Sequence, residues 1–355
     1  MTSNKFMKGN EALAYGALMS GLNAYFAYPI TPSSEIPETL AREFRSPEHP
    51  AFRAYLQTSS EIEAINMVIG ASSTGARTMT ATSGPGFSLM QEGLSYAAAM
   101  ELPFVVVDVN RAGPGLGNLG PEQSDYFQAT KGGGHGGYRN IVLAPSSVQE
   151  MASLPSLGFS LAFKHRNPVI ILADAFLGQI KEDIEFPELI PEQLDTGWAT
   201  TGATSEQRHL LLSLHLDFED QARHTEQLER KYAEIQRTEA RSEEYMTDDA
   251  EIVLVSYGIV SRLCRHVVNQ MRKQGVKVGL FRPVTLSPFP SARLGNLADD
   301  GKKFVVVELN MGQMLEDVRL AVEESTRVGF ANKLGGLLPS SKEIAEKVEM
   351  MRVGN

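Results

Sequence analysis

The sequence predicts an α/β protein built as two doubly wound α/β domains. Three observations carry this. Strand-like and helix-like segments alternate along residues 1–205 and again along 250–355, the pattern of βαβ units around a parallel sheet. FVVVDV at 104–109 is a continuous apolar run of the kind buried on both faces of such a sheet. Between the two stretches, residues 206–249 turn charged and polar, with Leu228, Tyr232 and Ile235 at helical spacing, and read as an exposed helical linker. A chain of 355 residues suits two or three domains of ~100–200 residues.

The elements follow in order. NEALAYGALMS at 10–20 is a helix rich in Ala and Leu, with Asn10 as its expected cap and Gly21 as its stop. AYFAY at 24–28 is a short strand, ended by Pro29 and Pro32, and a helix is expected near Glu35–Phe44. Ser60 and Glu63 fit a capping box, and behind them Ile62, Ile65, Val68 and Ile69 recur at helical spacing. RTMTAT at 77–82 is a strand that runs into a turn at Ser83-Gly84-Pro85-Gly86, with a helix over 87–100. After FVVVDV come strands IVLA (141–144) and PVIILAD (168–174). The second domain starts with strand EIVLVSYG (251–258). A helix near 260–274, strands VKVGLFRP (276–283) and KFVVVELN (303–310), and a helix after Met311-Gly312-Gln313 follow. No short-period repeat is present.

Composition excludes several classes. One cysteine, Cys264, cannot build a disulfide framework, a thiolate zinc site or a self-contained iron–sulfur cluster. A net charge of −10 argues against a nucleic-acid partner held by phosphate contacts. MTSNKFMKGN lacks the apolar run of a signal peptide, and no stretch of ~18 uncharged apolar residues is present to span a membrane. The expectation is a cytoplasmic protein. The histidines are scattered and suggest no metal site.

Several segments carry residues suited to chemistry, each with a plainer reading. Gly115-Leu-Gly117-Asn-Leu-Gly120 matches a dinucleotide fingerprint, but Arg-Ala-Gly-Pro separates it from the strand and Pro121 follows it. A long loop at the carboxyl end of a strand is the better reading. Arg111, just past FVVVDVN, is either a loop arginine paired with Asp108 or Asp125, or a fork that grips a carboxylate or phosphate. In Tyr28-Pro29-Ile30-Thr31-Pro32-Ser33-Ser34, two prolines fix the backbone around Thr31. The turn serves as an ordinary strand-to-helix connection capped by Ser33 or Ser34, or it holds the Thr31 hydroxyl for a ligand. Glu63 is explained by the capping box; Glu61 is left without an assignment and points to another face. His135, within GGGHGG, is a base, a ligand or a loop residue.

Taken together, GNEALAYGALMSGLNAYFAYPITPSSEI, SSEIEAINMVIGASSTGARTMTATSGPG, the loop after VVVDVNRAGPGLG, and GGGHGGYRNIVLAPSS resemble the α subunit of 2-oxoacid:ferredoxin oxidoreductases. GLFRPVTLSPFP and VVVELNMGQM resemble its second, transketolase C-terminal-like domain. The resemblance spans nearly the whole chain, in the short form without a fused γ domain. It implies that residues 1–205 form a thiamine-diphosphate pyrimidine-binding domain. Glu61 would then bond the aminopyrimidine ring, with Tyr28, Pro29, Ile30, Ser83 and Gly84 around the cofactor. Thr31 and Arg111 would contact the substrate carboxylate, and His135 would line the substrate site. The cofactor is shared with a β subunit carrying the diphosphate- and Mg²⁺-binding Gly-Asp-Gly motif, which this chain lacks. A γ subunit, a ferredoxin-like δ subunit with 4Fe–4S clusters, ferredoxin as acceptor and coenzyme A as cosubstrate complete the implied system. The GGGHGGYRN and IVLAPSSVQEM segments are most similar to the branched-chain (3-methyl-2-oxobutanoate) subgroup, with 2-oxoglutarate as the alternative. For the latter His135, Arg139 or Lys131 would serve the second carboxylate. A scaffold that has lost its site and a dinucleotide-dependent dehydrogenase are the readings from other classes.

Overall fold

The computed structural model describes residues 5–186, 194–202, 208–323 and 326–353. The expected boundary at 205–206 and the first four residues lie outside them. The alternating segments become two sheets, each flanked by helices. In the first, six parallel strands run in the order Ile141–Leu143, Val169–Asp174, Val105–Asn110, Thr78–Thr82, Ala24–Ala27, Ala54–Gln57. A seventh strand, Thr285–Ser287, comes from the second half of the chain and pairs antiparallel with Ile141–Leu143 at the edge. The second sheet places Val328–Asn332, Lys303–Glu308, Ile252–Val255 and Val278–Pro283 in parallel, with Ser242–Tyr245 antiparallel at its edge.

The apolar run at 104–109 is buried on both faces, as its composition requires. Val105, Val107 and Val109 pack in one layer with helices Gly9–Met19 and Val148–His165. Val106 packs in the other with helices Glu61–Ser72 and Gln91–Ala99. Gly16 lets the first two helices touch, since a Cβ there would lie 2.0 Å from the Ala152 carbonyl oxygen. Helix Phe218–Thr238 carries a polar surface and inserts Ile235 into the first core.

Four local expectations change. Asn10 is not a cap: helix Gly9–Met19 starts before it, and its buried amide donates to the Pro32 carbonyl at 2.7 Å and to Glu35 Oε2 at 2.8 Å. The turn at 83–86 is the first turn of helix Gly84–Leu89, and a second helix, Gln91–Ala99, follows it. Ser60 caps Glu61–Ser72 by accepting from Glu63 N at 3.2 Å, but the Glu63 carboxylate reaches back to Ser59 N at 2.7 Å. Ile62 is exposed, and Ala64, Ile65 and Val68 form the buried stripe.

The two sheets are fastened by buried polar groups. Arg282 donates two hydrogen bonds to Glu150, at 2.6 and 3.1 Å, and one to Glu243 at 2.8 Å. Gln123 accepts from Leu309 N and donates to the Tyr257 carbonyl, while Asp174 accepts from Leu177 N and Ile259 N. No helix among the described residues is long and apolar enough to cross a membrane.

Candidate active site

Four neighbouring parallel strands end on the same side of the first sheet, and the residues that follow them form the site. Tyr28–Thr31 follow Ala24–Ala27, Ser60 and Glu61 follow Ala54–Gln57, Ser83 and Gly84 follow Thr78–Thr82, and Arg111 follows Val105–Asn110. Carboxyl ends of parallel strands, where side chains and helix starts converge, are where α/β folds bind ligands.

The geometry ties these segments together. Arg111 Nη1 donates to the Thr31 carbonyl at 2.7 Å, across 80 positions of sequence. Of the partners the sequence offered, Asp108 and Asp125, Arg111 pairs with neither; its Nε is buried without a partner. The Thr31 turn is held from behind by Asn10 through Pro32 and by Ser33 Oγ, which donates to the Ile30 carbonyl at 2.8 Å. The Thr31 side chain stays exposed.

Glu61 is 5% exposed and accepts no hydrogen bond from the described residues. Its carboxylate lies over Gly86, where a Cβ would sit 2.3 Å from Glu61 Oε1 and 2.2 Å from Thr82 Oγ1. Only glycine leaves that space to the carboxylate. The Ser83 hydroxyl is also buried without a partner. A buried hydroxyl lacking a protein partner is costly unless something else bonds it, and the Glu61 carboxylate beside it is free to accept. The set suits an amine-bearing heterocycle. Tyr28, Ile62 and Leu89, large apolar side chains flanking these groups, are exposed.

Beside Arg111 a cavity of about 990 Å³ opens between the two sheets. Its walls include Pro85, Ala112, Pro114, Leu116, Met311 and Leu334, with Arg111 as the only cation among the described residues and Glu122 and Asp125 as the acids. The glycine-rich segment 112–120 forms one rim as an irregular loop, closed at its base by Arg111 and Pro121, and no helix opens inside it. A dinucleotide fingerprint needs that helix. His135 lies elsewhere, in a second cavity of about 490 Å³ with Tyr96, Tyr138, Arg139 and Tyr232. Lys131 pairs with Asp317. Neither His135, Arg139 nor Lys131 lines the Arg111 cavity.

The family described as "Pyruvate flavodoxin/ferredoxin oxidoreductase, thiamine diP-bdg" matches residues 15–251, and "Pyruvate:ferredoxin oxidoreductase core domain II" matches residues 250–344. This chain belongs to the 2-oxoacid:ferredoxin oxidoreductases, as an α subunit. It is 50% identical over 347 residues to the ketoisovalerate oxidoreductase subunit VorB of Methanothermobacter thermautotrophicus, covering 98% of this chain and 97% of that protein. It is 37% identical to the 2-oxoglutarate synthase subunit KorA of Methanocaldococcus jannaschii, covering 97% and 99%. The solved 2-oxoglutarate:ferredoxin oxidoreductase of Magnetococcus marinus superposes with a TM-score of 0.89 at 28% identity, over 98% of this chain and 65% of that one. The first domain of this α subunit is therefore a thiamine-diphosphate-binding domain, and the second is transketolase-like.

Three residues that the sequence offered in other roles also shape the site. Asn10 supports the Thr31 turn, Gly86 makes room for Glu61, and Asp125 stands in the wall beside Arg111. Only Gly86 carried a local signal, the turn-like SGPG.

Proposed function

We propose that this α subunit supplies the pyrimidine side of a thiamine-diphosphate site in an enzyme that oxidatively decarboxylates a branched-chain 2-oxoacid, 3-methyl-2-oxobutanoate, to its acyl-CoA. The observation that carries the proposal is the convergence of Arg111 on the Thr31 turn beside the unpartnered Glu61. The residues fit the cofactor: Glu61 for N1′ of the aminopyrimidine, with Ser83, Gly84 and the Tyr28-Pro29-Ile30 turn around the ring. When bound, thiamine diphosphate supplies the electron sink for the carbanion left by loss of CO₂.

This chain's residues do the rest on their side of the site. Glu61 holds a proton at N1′, a role suited to a carboxyl group kept from water. Arg111 offers a guanidinium fixed by its Nη1 bond to the Thr31 carbonyl and lining the cavity, so it can take a substrate carboxylate. Thr31 presents its hydroxyl next to that guanidinium. Together they orient the 2-oxoacid. The substrate side chain extends into the Arg111 cavity, whose walls are largely apolar and hold no second cation among the described residues. A 2-oxoglutarate enzyme needs a cation for the distal carboxylate, and the described residues offer none there beyond Arg111.

The remaining parts belong to partners. A β subunit would hold the diphosphate and Mg²⁺, and γ and δ subunits with 4Fe–4S clusters would pass electrons to ferredoxin, since Cys264 is a lone buried thiol. Coenzyme A would take the acyl group. The test is a screen of the assembled enzyme against a panel of 2-oxoacids with a viologen acceptor. The highest kcat/KM is expected for the branched-chain acid. A preference for 2-oxoglutarate, or electron transfer to NAD(P) in place of the viologen, overturns the reading.

A further inference from the structure

Two acids beside Arg111 have no part in the chemistry above. Asp108 lies in strand Val105–Asn110, abreast of Thr82 and Leu172. It is 0% exposed, and neither carboxylate oxygen makes a well-formed hydrogen bond, the Gly84 amide being the backbone donor that faces it. Alternation along the strand turns it to the same face as Val106 and Asn110. On that face it stands two residues along from Asn110, whose amide holds Asp125, so the two carboxyl groups face one another. Asp125 is wedged between this strand and the start of helix Gly84–Leu89, where a Cβ on Gly84 would lie 3.3 Å from Asp125 Oδ2. The Asn110 amide donates to the same oxygen.

Two carboxylates cannot both ionise at such a contact away from water. A buried carboxylate without a well-formed hydrogen bond also bears most of its desolvation cost. One proton removes both problems. Asp108, once protonated, donates its O–H to Asp125, and Asp125 then accepts from Asp108 and Asn110 together. Arg111 lines the same cavity as Asp125 and Glu122, yet it pairs with neither and donates to Thr31 instead.

Building on the reading that Arg111 grips the substrate carboxylate, we infer that Asp108 and Asp125 share a single proton, and that this proton keeps Arg111 free for the substrate. Both are positioning residues that act through Arg111. An Asp125 carboxylate without its Asp108 donor would turn to the adjacent guanidinium and compete with the 2-oxoacid. The groups facing the pair are Asn110 and Arg111 from its own strand end, Glu122 from the loop, the Gly84 amide from the helix start, and Tyr257 from the second domain. Burial first, then the Asp125 charge, lifts Asp108 well above the usual carboxylate range. Burial pushes Asp125 up to about 6, against hydrogen bonds from Asp108 and Asn110 and the charge of Arg111, while Glu122 adds to the rise. Near neutral pH the pair therefore carries one negative charge. When alkali removes the shared proton it carries two, Arg111 is drawn away, and KM for the oxoacid rises.

The test compares variants of the assembled enzyme between about pH 6 and 9. Asp108→Val should raise KM about 10-fold with kcat within about 2-fold, because charge competition acts on binding and leaves Glu61 untouched. Asp108→Asn should restore KM, since the amide donates to Asp125 as the acid does, and its KM should no longer climb with alkali. Isotope-edited infrared spectra should show a protonated aspartic acid carbonyl in the wild type and none in Asp108→Asn. A wild-type KM for Asp108→Val, an alkaline rise retained in Asp108→Asn, or a protonated carbonyl band that survives that substitution overturns the inference. If Asp108→Val fails to assemble, the pH profile and spectrum of Asp108→Asn decide. Arg111→Lys separates the two layers of the proposal. An unchanged KM there defeats the reading of Arg111 itself, whereas a raised KM alongside a silent Asp108→Val defeats only the pair.

Discussion

Gly86 has no side chain because the Glu61 carboxylate occupies the place one would take. Gly86→Ala should leave the fold intact and displace Glu61, since the far end of a flexible side chain yields more readily than backbone. A displacement of about 1 Å at such a group can cost on the order of 10²-fold, so steady-state turnover of the assembled variant should fall by about 10- to 100-fold. Glu61→Gln keeps the shape and removes the acid, and should lower kcat by ~10²–10⁴-fold while thermal unfolding stays unchanged. Near-normal turnover with cofactor bound would place the N1′ partner elsewhere. At this scale Thr31 and Arg111 were legible because each sits one to four residues past a strand with a recognisable pattern, and Glu61 because it opens a helix marked by the Ser60 and Glu63 capping residues. In the sequence Asn10 and Asp125 stand as a cap and as an Arg111 partner, but their true partners Pro32 and Asn110 are 22 and 15 positions away and no local pattern announces them. His135 stood out for its glycine-rich setting, which fits a loop bend as well as a site.

Strands and helices were legible in proportion to how local their signals are. The runs 104–109, 168–174 and 303–310 are apolar enough to identify themselves. Ala54–Gln57 is a four-residue edge strand whose main support, Tyr55 stacked on Tyr25 at 5.9 Å, comes from another element. Helix Val148–His165 carries Pro155 in its interior, which hid it. Its last turn meets the end of helix Phe218–Thr238 at one acid. Glu239 accepts from Lys164 at 2.5 Å, His165 at 2.9 Å and Arg241 at 3.1 Å. Burial acts to raise its pKa, but these hydrogen bonds hold it down to about 2. The folded value lies below the ~4.3 of a free glutamate. The stabilisation is therefore present above that value and is lost as pH falls toward the folded one. Glu239→Gln should lower Tm by about 2–4 °C at neutral pH. Calorimetry across acid pH should find this gap closing as pH drops; a constant gap would mean the charge contributes nothing.

Across the whole molecule, the proposed cofactor site lies open beside exposed Tyr28, Ile62 and Leu89. A subunit contact on that face would be obligate, of the kind that buries more than ~2,000 Å². The isolated chain, titrated with thiamine diphosphate and Mg²⁺ in a calorimeter, should show neither tight binding nor 2-oxoacid decarboxylation, and adding the β subunit should restore both. Stoichiometric binding by the lone chain would end the split-site account. The two-sheet plan was readable from the alternation of segments, but the crossing of Thr285–Ser287 into the first sheet was not, because three residues carry no periodicity. That crossing bears on how the chain is made. As it leaves the ribosome, the Ile141–Leu143 strand has one bare side until well over a hundred further residues have been synthesised. Unpaired edges invite pairing with other nascent chains. A gene cut near residue 250, however natural the break looks in the sequence, would leave that side bare for good and yield an aggregating fragment instead of an independent domain.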